Sequence, residues 1–297
     1  MTQVSAETAA RAVLDTAGRR AGIDVAKAEL MRLGENALYR LPNRIIARIA
    51  RSGQLAAAAR EVAVARWLEA SGVDAVRVLP DVAQPVDVDG RAVTWWQELP
   101  PHREGTALQV ATALRRLHDL PPPTGFNIGR LDPFVRLAER IDRAVTLSEA
   151  DRAWMRAHLS DLAVRYAALP ETLPESVVHG DAWIGNVVSA GNRVVFLDLE
   201  RCSVGPPEWD LTSTAVKTFT LAGISVEDYA VFVRAYGYDV TAWAGFEVLR
   251  DIREFRMTCM AAQVAAENPA RHDEIVLRLA CLRGERGSRP WLWTPVP

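Results

Sequence analysis

The sequence predicts an α+β protein with a small N-terminal part built on an antiparallel sheet and a larger, mainly helical C-terminal part. Three observations predict this order. Short apolar segments separated by turn residues are concentrated before residue 100, whereas apolar residues recur at helical spacing over most of the chain after Thr106. A strand–loop–strand segment, residues 177–200, interrupts the helical part. We therefore expect two domains, residues 1–99 and 100–297.

Composition and charge limit the classes of protein to which the chain can belong. Its 297 residues are 49% hydrophobic and 24% charged, which is ordinary for a globular chain long enough for two domains. A net charge of −2 gives no reason to expect nucleic acid or an anionic membrane as a partner. Neither a membrane span nor a signal peptide is predicted. Three widely spaced cysteines favour no disulfide framework, so we expect a cytoplasmic protein, either a monomer or a homodimer.

The N-terminal part is expected to hold a five-stranded antiparallel sheet and one main helix, after a short amphipathic helix over residues 5–22. Gly34-Glu35-Asn36 and Pro42-Asn43 are turn signals between the first strands, and Asp89-Gly90 predicts a hairpin. The predicted strands lie over residues 27–33, 37–41 and 44–50, within 76–88, and over 91–99.

Arg48 places a cation inside the apolar run of the third strand, where an unpaired charge is costly. A partner carboxylate is therefore expected on the helix that follows, residues 54–70, which has Glu61 in its middle. The alternative is a surface strand from which Arg48 reaches into solvent.

Helical periodicity and breaker residues predict the elements of the C-terminal part. His118 closes its first helix, where we expect it to cap or to pack, and Asp132 with Pro133 suits the start of another. Asp210 is an N-cap candidate from sequence alone. The tail after Gly284, rich in Trp and Pro, is either an extended strap or a disordered segment. Helices are expected over residues 106–118, 150–169, 211–221, 226–237, 241–265 and 270–284.

The interrupting segment contains the residues with the clearest chemical pattern. VVHGDAWIGN, residues 177–186, is an apolar strand that runs into a polar loop, and VVFLDLE, residues 194–200, is an apolar run that ends in Asp198. A hairpin that turns near Gly191 would bring Asp181, Asn186 and Asp198 to one end. A carboxylate that accepts a proton, with an amide and a second carboxylate for Mg²⁺, is what phosphoryl transfer requires. The alternative is a plain turn with a capping Asp.

The five-residue spacing from Asp181 to Asn186, with an Asp on the next strand, repeats that of the protein-kinase catalytic loop. The motif His179-Gly180-Asp181, together with Asp198-Leu199-Glu200 in place of Asp-Phe-Gly, resembles the aminoglycoside phosphotransferase (APH) family of small-molecule kinases. The resemblance covers about residues 27–284 and is strongest at 177–210. It implies a bilobal protein-kinase-like fold, with nucleotide bound by the N-terminal lobe and acceptor by the C-terminal lobe.

The resemblance implies roles for individual residues. Asp181 would orient the acceptor hydroxyl, and Asn186 and Asp198 would bind Mg²⁺. Arg48 and Glu61 would orient the phosphates of ATP, with GTP as the other candidate donor. The remaining expected roles are phosphate covering by Gly34, Glu35 and Asn36; the gatekeeper position at Trp96; adenine binding by the Gln97 carbonyl and the Leu99 amide; and support of the loop by His179 and Asp210. Glu200 is expected to join the metal shell, contact substrate or pair with an Arg.

The acceptor is expected to be a small molecule with a hydroxyl group, such as an antibiotic, a sugar or an amino alcohol. Residues 200–297 contain 13 Asp and Glu against 11 Lys and Arg, so a strongly cationic acceptor is not favoured. Two other classes stay open: a catalytically inactive nucleotide-binding scaffold, which retention of all three polar positions disfavours, and a metal-dependent hydrolase, which lacks further clustered histidines.

Overall fold

The computed structural model describes residues 3–294, with side chains from residue 6 onward, and these residues form two compact units. The first unit comprises the chain up to Gly105 together with Asp119–Gly129 and Ile184–Ser203. The second comprises Thr106–His118, Arg130–Trp183 and the chain from Val204 onward. The domain boundary expected between residues 99 and 100 stays a prediction.

Helices and strands follow in the expected general order. The α-helices of the described residues are α1 (Gln3–Ala21), α2 (Leu55–Ala70), α3 (Ala107–His118), α4 (Leu137–Arg143), α5 (Glu149–Ala167), α6 (Glu208–Phe219), α7 (Val226–Tyr236), α8 (Phe246–Glu267) and α9 (His272–Leu282). The strands are β1 (Glu29–Leu33), β2 (Ala37–Leu41), β3 (Ile45–Ser52), β4 (Val86–Val88), β5 (Arg91–Gln97), β6 (Arg103–Glu104), β7 (Ser176–Val178), β8 (Val187–Ala190), β9 (Arg193–Phe196) and β10 (Ser203–Gly205).

The first unit is built on a five-stranded antiparallel sheet of order β1-β2-β3-β5-β4. Alternate residues of its central strands are buried together with the apolar face of α1, which includes Leu14. Asp89 and Gly90 have φ values of 51° and 78° and close the β4–β5 hairpin, which is the backbone that a two-residue turn requires. The predicted α+β class, with an antiparallel sheet first and helices after it, is confirmed.

A second sheet of the first unit has the order β6-β8-β9. Strands β8 and β9 form a tight hairpin in which Ala190 pairs with Arg193, and Gly191 at the turn has φ 63°. Val188, Ala190 and Val195 form a small apolar cluster on this hairpin. The predicted turn at residues 190–192 therefore exists, and the hairpin holds both of its ends in a defined register.

The core of the second unit surrounds α8, which packs against α4, α5, α6 and α9. Leu249, Ile252, Phe255 and Cys259 recur at helical spacing on α8 and are fully buried beside Trp209 of α6. Helix α3 packs against α7 and β7. The segment that carries the residues from 176 to 183 thus runs through a well-packed helical core.

Three predicted helix starts are wrong. The Asp132 carboxylate accepts from the Phe134 N–H in a turn, and α4 begins only at Leu137. Helix α6 begins at Glu208, so Asp210 lies in its first turn and is not its N-cap. Helix α8 begins at Phe246, after a separate 3₁₀ turn at Val240–Ala242. A short turn precedes α4 and α8, whereas α6 begins three residues before the expected start at Leu211.

The C-terminal tail packs as a strap as far as residue 294, and Pro295–Pro297 lie outside the described residues. The Arg289 side chain donates to the buried Glu254 carboxylate at 2.7 and 2.6 Å, and Trp293 is buried with Arg278 over its ring. All three cysteines are buried with free thiols. Among residues 3–294 there is no helix with the length and apolar character needed to cross a membrane.

We expect Leu114→Ala to lower the free energy of unfolding by about 2–5 kcal/mol, because Leu114 is fully buried on α3 and its loss leaves a cavity. Leu108, on the same helix, is 50% exposed, and we expect Leu108→Ala to change the free energy by less than about 0.5 kcal/mol. Urea unfolding followed by circular dichroism measures both. Equal losses for the two variants would contradict the assigned packing of α3.

Candidate active site

In the first unit, Asn186 and Asp198 lie at the same end of the β8–β9 hairpin. Val187 pairs with Phe196, and the Leu197 N–H donates to the Asn186 carbonyl at 2.8 Å. The register therefore places Asn186 opposite Leu197, with Asp198 as the next residue. The structure brings together these two sequence-predicted positions, and Asp181 belongs to the second unit.

Asp198 has an unusual backbone. Its φ of 52° and ψ of 69° lie in the left-handed region, which few residues other than glycine adopt, and a 3₁₀ turn over Leu199–Arg201 follows at once. The residue is exposed. Such conformations cost energy and cluster at binding sites, where the surrounding structure holds them. The kink ends β9 and turns the chain immediately after the hairpin.

The oxygen atoms of Asn186 and Asp198 suit a hard cation such as Mg²⁺, which takes one or two protein ligands and completes its shell with water or phosphate. Among residues 3–294 no group of three or more His, Cys, Asp or Glu side chains is arranged to hold a metal ion by itself. A divalent cation at this hairpin would therefore rely on a ligand for further oxygen atoms.

Arg48 on β3 pairs with Glu61 on α2, as the sequence predicts. The guanidinium binds both carboxylate oxygens: Nη1 donates to Oε1 at 2.8 Å, and Nη2 donates to Oε2. The Glu61 side chain is 2% exposed and that of Arg48 is 17% exposed. The alternative, in which Arg48 reaches from a surface strand into solvent, is therefore wrong. A bidentate geometry fixes the orientation of both side chains.

The pair lies in a negatively charged part of the first unit. Helix α2 packs against the 3₁₀ turn that follows Asp198 and contains Glu200. Burial raises the pKa of Glu61 to about 7, Arg48 opposes that rise, and the charges of Asp198 and Glu200 add to it. The charges of Asp198 and Glu200 therefore act on the Arg48–Glu61 pair, and Arg60 of the same helix donates to the Glu200 carbonyl at 3.4 Å.

The other predicted positions of the first unit lie on the five-stranded sheet or next to the ends of its strands. Gly34 and Glu35 are exposed and Asn36 is half-buried at the turn between β1 and β2. Trp96 is buried on β5, and its indole N–H donates to Thr94. The remaining two follow or end that strand: Gln97 pairs with Ile45, and Leu99 packs against the β8–β9 cluster. Their nucleotide-binding roles stay predictions.

In the second unit, Asp181 follows β7 on a short loop, residues 179–183, which we call the Asp181 loop. Its side chain is 47% exposed. The buried His179 ring accepts the Asp181 N–H through Nδ1 at 3.3 Å, so this histidine organises the loop backbone. Gly180 has φ 85°, a conformation that a residue with a Cβ adopts only with strain. The backbone thus presents the Asp181 carboxylate towards solvent.

The Asp210 carboxylate binds the backbone of the Asp181 loop on its buried side. Its fully buried carboxylate accepts the His179 N–H at 2.6 Å and the Gly180 N–H at 2.9 Å. His118 lies 3.2 Å away through Nε2, and since a carboxylate only accepts, the imidazole is the donor. The other nitrogen of His118 lies 2.9 Å from the Tyr236 hydroxyl. Asp210 therefore connects the Asp181 loop to His118 through hydrogen bonds, and its role in supporting catalysis stays a prediction.

The ionisation of Asp210 follows from these contacts. Burial by itself raises the pKa of this carboxyl, but the hydrogen bond and charge of His118 and the charge of Arg253 outweigh it. The pKa of Asp210 consequently lies below its ordinary value. Asp210 is a buried anion whose charge is stabilised in the folded state.

Two residues that the sequence reasoning missed complete the support of the Asp181 loop. The Trp209 indole N–H donates to the Gly180 carbonyl at 2.8 Å, and Arg253 of α8 stacks on the Trp209 ring. Burial lowers the pKa of Arg253, and Asp181 and Asp210 oppose that shift. One signal was available: Arg253 stands on the apolar stripe of α8, one position after Ile252 and four after Leu249.

We expect Asp210→Asn to lower the free energy of unfolding at pH 7 by about 2–5 kcal/mol, because a buried charge-assisted cluster loses its anion. A carboxyl with a depressed folded pKa contributes stability that is present above its unfolded pKa, about 4, and is lost as the pH falls through the folded value. The difference between parent and variant should therefore shrink below about pH 4. Thermal unfolding between pH 3 and pH 8 measures it, with the exposed Asp161→Asn as control. A difference that is constant with pH would contradict this assignment.

Solved structures share the fold at low sequence identity. The amicoumacin kinase hAmiN in complex with AMP-PNP, Ca²⁺ and Ami has a TM-score of 0.65 at 15% identity, with 89% of this chain and 92% of that one covered. A choline/ethanolamine kinase family protein from Mesorhizobium loti has a TM-score of 0.57 at 19% identity, covering 91% and 94%. Aminoglycoside phosphotransferase APH(3'')-Id from Streptomyces rimosus has 0.56 at 22%, covering 85% and 98%.

These identities show the fold and no more. Comparison with curated proteins gives no match. The family comparison is decisive, because the model of the phosphotransferase enzyme family (APH) matches residues 32–250, well over half of the chain, and contains both the Arg48–Glu61 pair and the hairpin with Asn186 and Asp198. The chain therefore belongs to the APH phosphotransferase enzyme family.

Proposed function

We propose that this protein transfers the γ-phosphoryl group of ATP to a hydroxyl group of a small molecule. The observation that carries the proposal is the hairpin that places Asn186 and Asp198 in adjacent register positions, in a chain of a phosphotransferase family. In the reaction the bond from the acceptor oxygen to phosphorus forms, the bond to the leaving ADP oxygen breaks, and the hydroxyl proton passes to the Asp181 carboxylate.

Asp181 is proposed to accept the hydrogen bond of the acceptor hydroxyl and to orient its oxygen for in-line attack. The half-exposed carboxylate on a loop that Asp210 and His179 hold rigid supports this role. Because the transition state is loose, positioning and charge stabilisation account for most of the catalysis that a protein can provide.

Asn186 and Asp198 are proposed to hold Mg²⁺, with Glu200 nearby. When bound, the ion would neutralise the negative charge that develops on the transferred phosphoryl group. Two oxygen ligands at one hairpin end, in a neighbourhood rich in carboxylates, support this choice. Arg48, held by Glu61, would bind the phosphates through the part of its guanidinium that remains accessible.

ATP is proposed as donor and GTP as the competitor to be tested. The amicoumacin kinase structure contains AMP-PNP, whereas the similar fold of another aminoglycoside phosphotransferase contains GDP and kanamycin. Trp96, Gln97 and Leu99 at the end of β5 would bind the base, and the exposed turn at Gly34–Asn36 would cover the phosphates.

For the acceptor we propose a neutral or singly charged alcohol. The guanidinium of Arg253 lies 3.7 Å from the Asp181 carboxylate, and the Lys217 ammonium lies 4.7 Å from the ring centroid of Trp183 on the same loop. These cations weaken the attraction of the Asp181 loop for a polycation. An acceptor panel of ethanolamine, choline, spectinomycin and kanamycin spans the relevant charges.

We expect Mg²⁺ to increase the rise in melting temperature that ATP produces in the parent, and Asp198→Asn to remove that increment. A ligand that binds only the folded state raises the melting temperature, and a neutral amide is a weaker ligand for Mg²⁺ than a carboxylate. Thermal-shift titrations with ATP and GTP, each with and without Mg²⁺, measure both effects.

The control is Asp81→Asn, because Asp81 is an exposed aspartate of the first unit whose φ of 58° matches the left-handed backbone of Asp198. It should keep the full Mg²⁺ increment. If neither nucleotide shifts the parent at millimolar concentration, the assignment of the nucleotide site is wrong.

We expect Asp181→Ala to lower the rate of phosphate transfer by at least about 10²-fold while nucleotide stabilisation is retained. Transfer from radiolabelled ATP to each member of the panel measures the rate. A variant that turns over within about tenfold of the parent would remove Asp181 from its role. A parent that binds Mg²⁺ and ATP but transfers phosphate to no acceptor would favour the scaffold alternative.

A further inference from the structure

Arg253 is a buried cation at a position where a helix would ordinarily carry an apolar residue. It lies on the core-facing stripe of α8 and is only 7% exposed. A buried charge is costly unless its surroundings compensate it. Its Nε has no hydrogen-bond partner among the described residues. The packing of α8 alone therefore gives no reason for a charged side chain at this position.

The contacts of Arg253 converge on the Asp181 loop and its support. One nitrogen, Nη2, donates to the Trp209 carbonyl at 2.7 Å and approaches the Gly180 carbonyl at 3.5 Å. The guanidinium carbon lies 4.2 Å from the ring centroid of Trp209, the residue whose indole N–H also binds Gly180. The plane of the guanidinium is thus fixed by a ring that is itself bound to the loop.

The other terminal nitrogen, Nη1, lies 3.7 Å from Oδ1 of Asp181. At that distance the two groups form an ion pair but no direct hydrogen bond. The Asp181 side chain is half-exposed. The carboxylate therefore keeps its outer side open to solvent, while its inner side faces a fixed positive charge. A carboxylate held on one side and open on the other has a preferred orientation.

We propose that Arg253 is a positioning residue, which holds the Asp181 carboxylate in the orientation that receives the acceptor hydroxyl. The inference rests on the proposed function of the Asp181 loop and adds a residue to it. Arg253 acts through Asp181 and does not itself touch the reacting atoms. A displacement of a catalytic group by about 1 Å can cost up to about 10²-fold in rate, so removal of the guanidinium should be felt in turnover.

A double-mutant cycle tests the proposal in the full-length protein, with Arg253→Met, Asp181→Asn and the double variant. We expect Arg253→Met to lower kcat by about tenfold to 10²-fold, with the KM for ATP within about threefold of the parent. In the Asp181→Asn background the same change should lower kcat by no more than about twofold, since the group through which it acts has been altered. Rates are measured with Mg²⁺, ATP and the panel member that gives the highest turnover.

Arg256 provides the matched control. It is on the same helix, lies 5.7 Å from the ring centroid of the same Trp209, and donates to the Pro133 carbonyl at 2.6 Å. Arg256→Met should lower the melting temperature but leave kcat within about threefold of the parent. Arg253→Lys provides a second variant if the Met variant does not fold. Its kcat should lie below that of the parent, because an ammonium keeps the charge but not the planar fork.

A second measurement does not depend on any acceptor. If Arg253 and Asp181 attract each other, Arg253→Met lowers the melting temperature more in the parent than in Asp181→Asn, by about 1–2 °C. Equal losses in both backgrounds would overturn the contact. In kinetics, equal fold-losses in both backgrounds, or a loss in Arg256→Met as large as in Arg253→Met, would overturn the positioning role.

The two hypotheses fail in different ways. If the parent transfers phosphate to no member of the panel, the proposed function fails on the parent alone, and the melting-temperature cycle then decides whether Arg253 holds Asp181. If the parent transfers phosphate and Asp181→Asn lowers kcat strongly but measurably, while the effects of the two substitutions are additive, only the positioning role of Arg253 is wrong.

Discussion

The support of the Asp181 loop depends on one buried carboxylate. Asp210 accepts two consecutive backbone N–H groups, those of His179 and Gly180, and a third hydrogen bond from His118. A loop that passes through a core would otherwise bury donors without partners, which is why most loops lie at the surface. The buried anion satisfies these donors together, so the loop can be rigid where it meets the core and open where Asp181 faces solvent.

In the first unit, the carboxylates of Glu61, Asp198 and Glu200 lie close enough to interact electrostatically. The bidentate pair of Arg48 and Glu61 offsets part of that charge, and helix α2 brings the pair near the 3₁₀ turn after Asp198. Burial and the charges of Asp198 and Glu200 raise the pKa of Glu61, and Arg48 opposes that rise. Together with the left-handed backbone of Asp198, these carboxylates support the cation site proposed above.

Much of the fold could be predicted because its signals are local. The hairpin at Asp89-Gly90, the turn near Gly191 and the apolar stripe of α8 each follow from residues close in sequence. The predicted helix starts were wrong because they, too, rest on local signals. Asp132 followed by Pro133 has the composition of a helix N-terminus, but the Asp132 carboxylate closes a turn instead, because the chain must first reach the position where Leu137 can enter the core. Local composition does not contain that requirement.

By itself, the sequence determined the general order of sheet and helices, the cation of β3 with its partner on α2, and the spacing of Asp181, Asn186 and Asp198. Only the tertiary structure decided which side chains hold the Asp181 loop. Asp210, Trp209 and Arg253 come from α6 and α8, and Arg253 is more than 70 residues from Asp181 in the chain. The physical reason is that the cost of burying a charge depends on the polar groups around it. The packing of helices decides which groups those are, and the spacing of residues along the sequence does not.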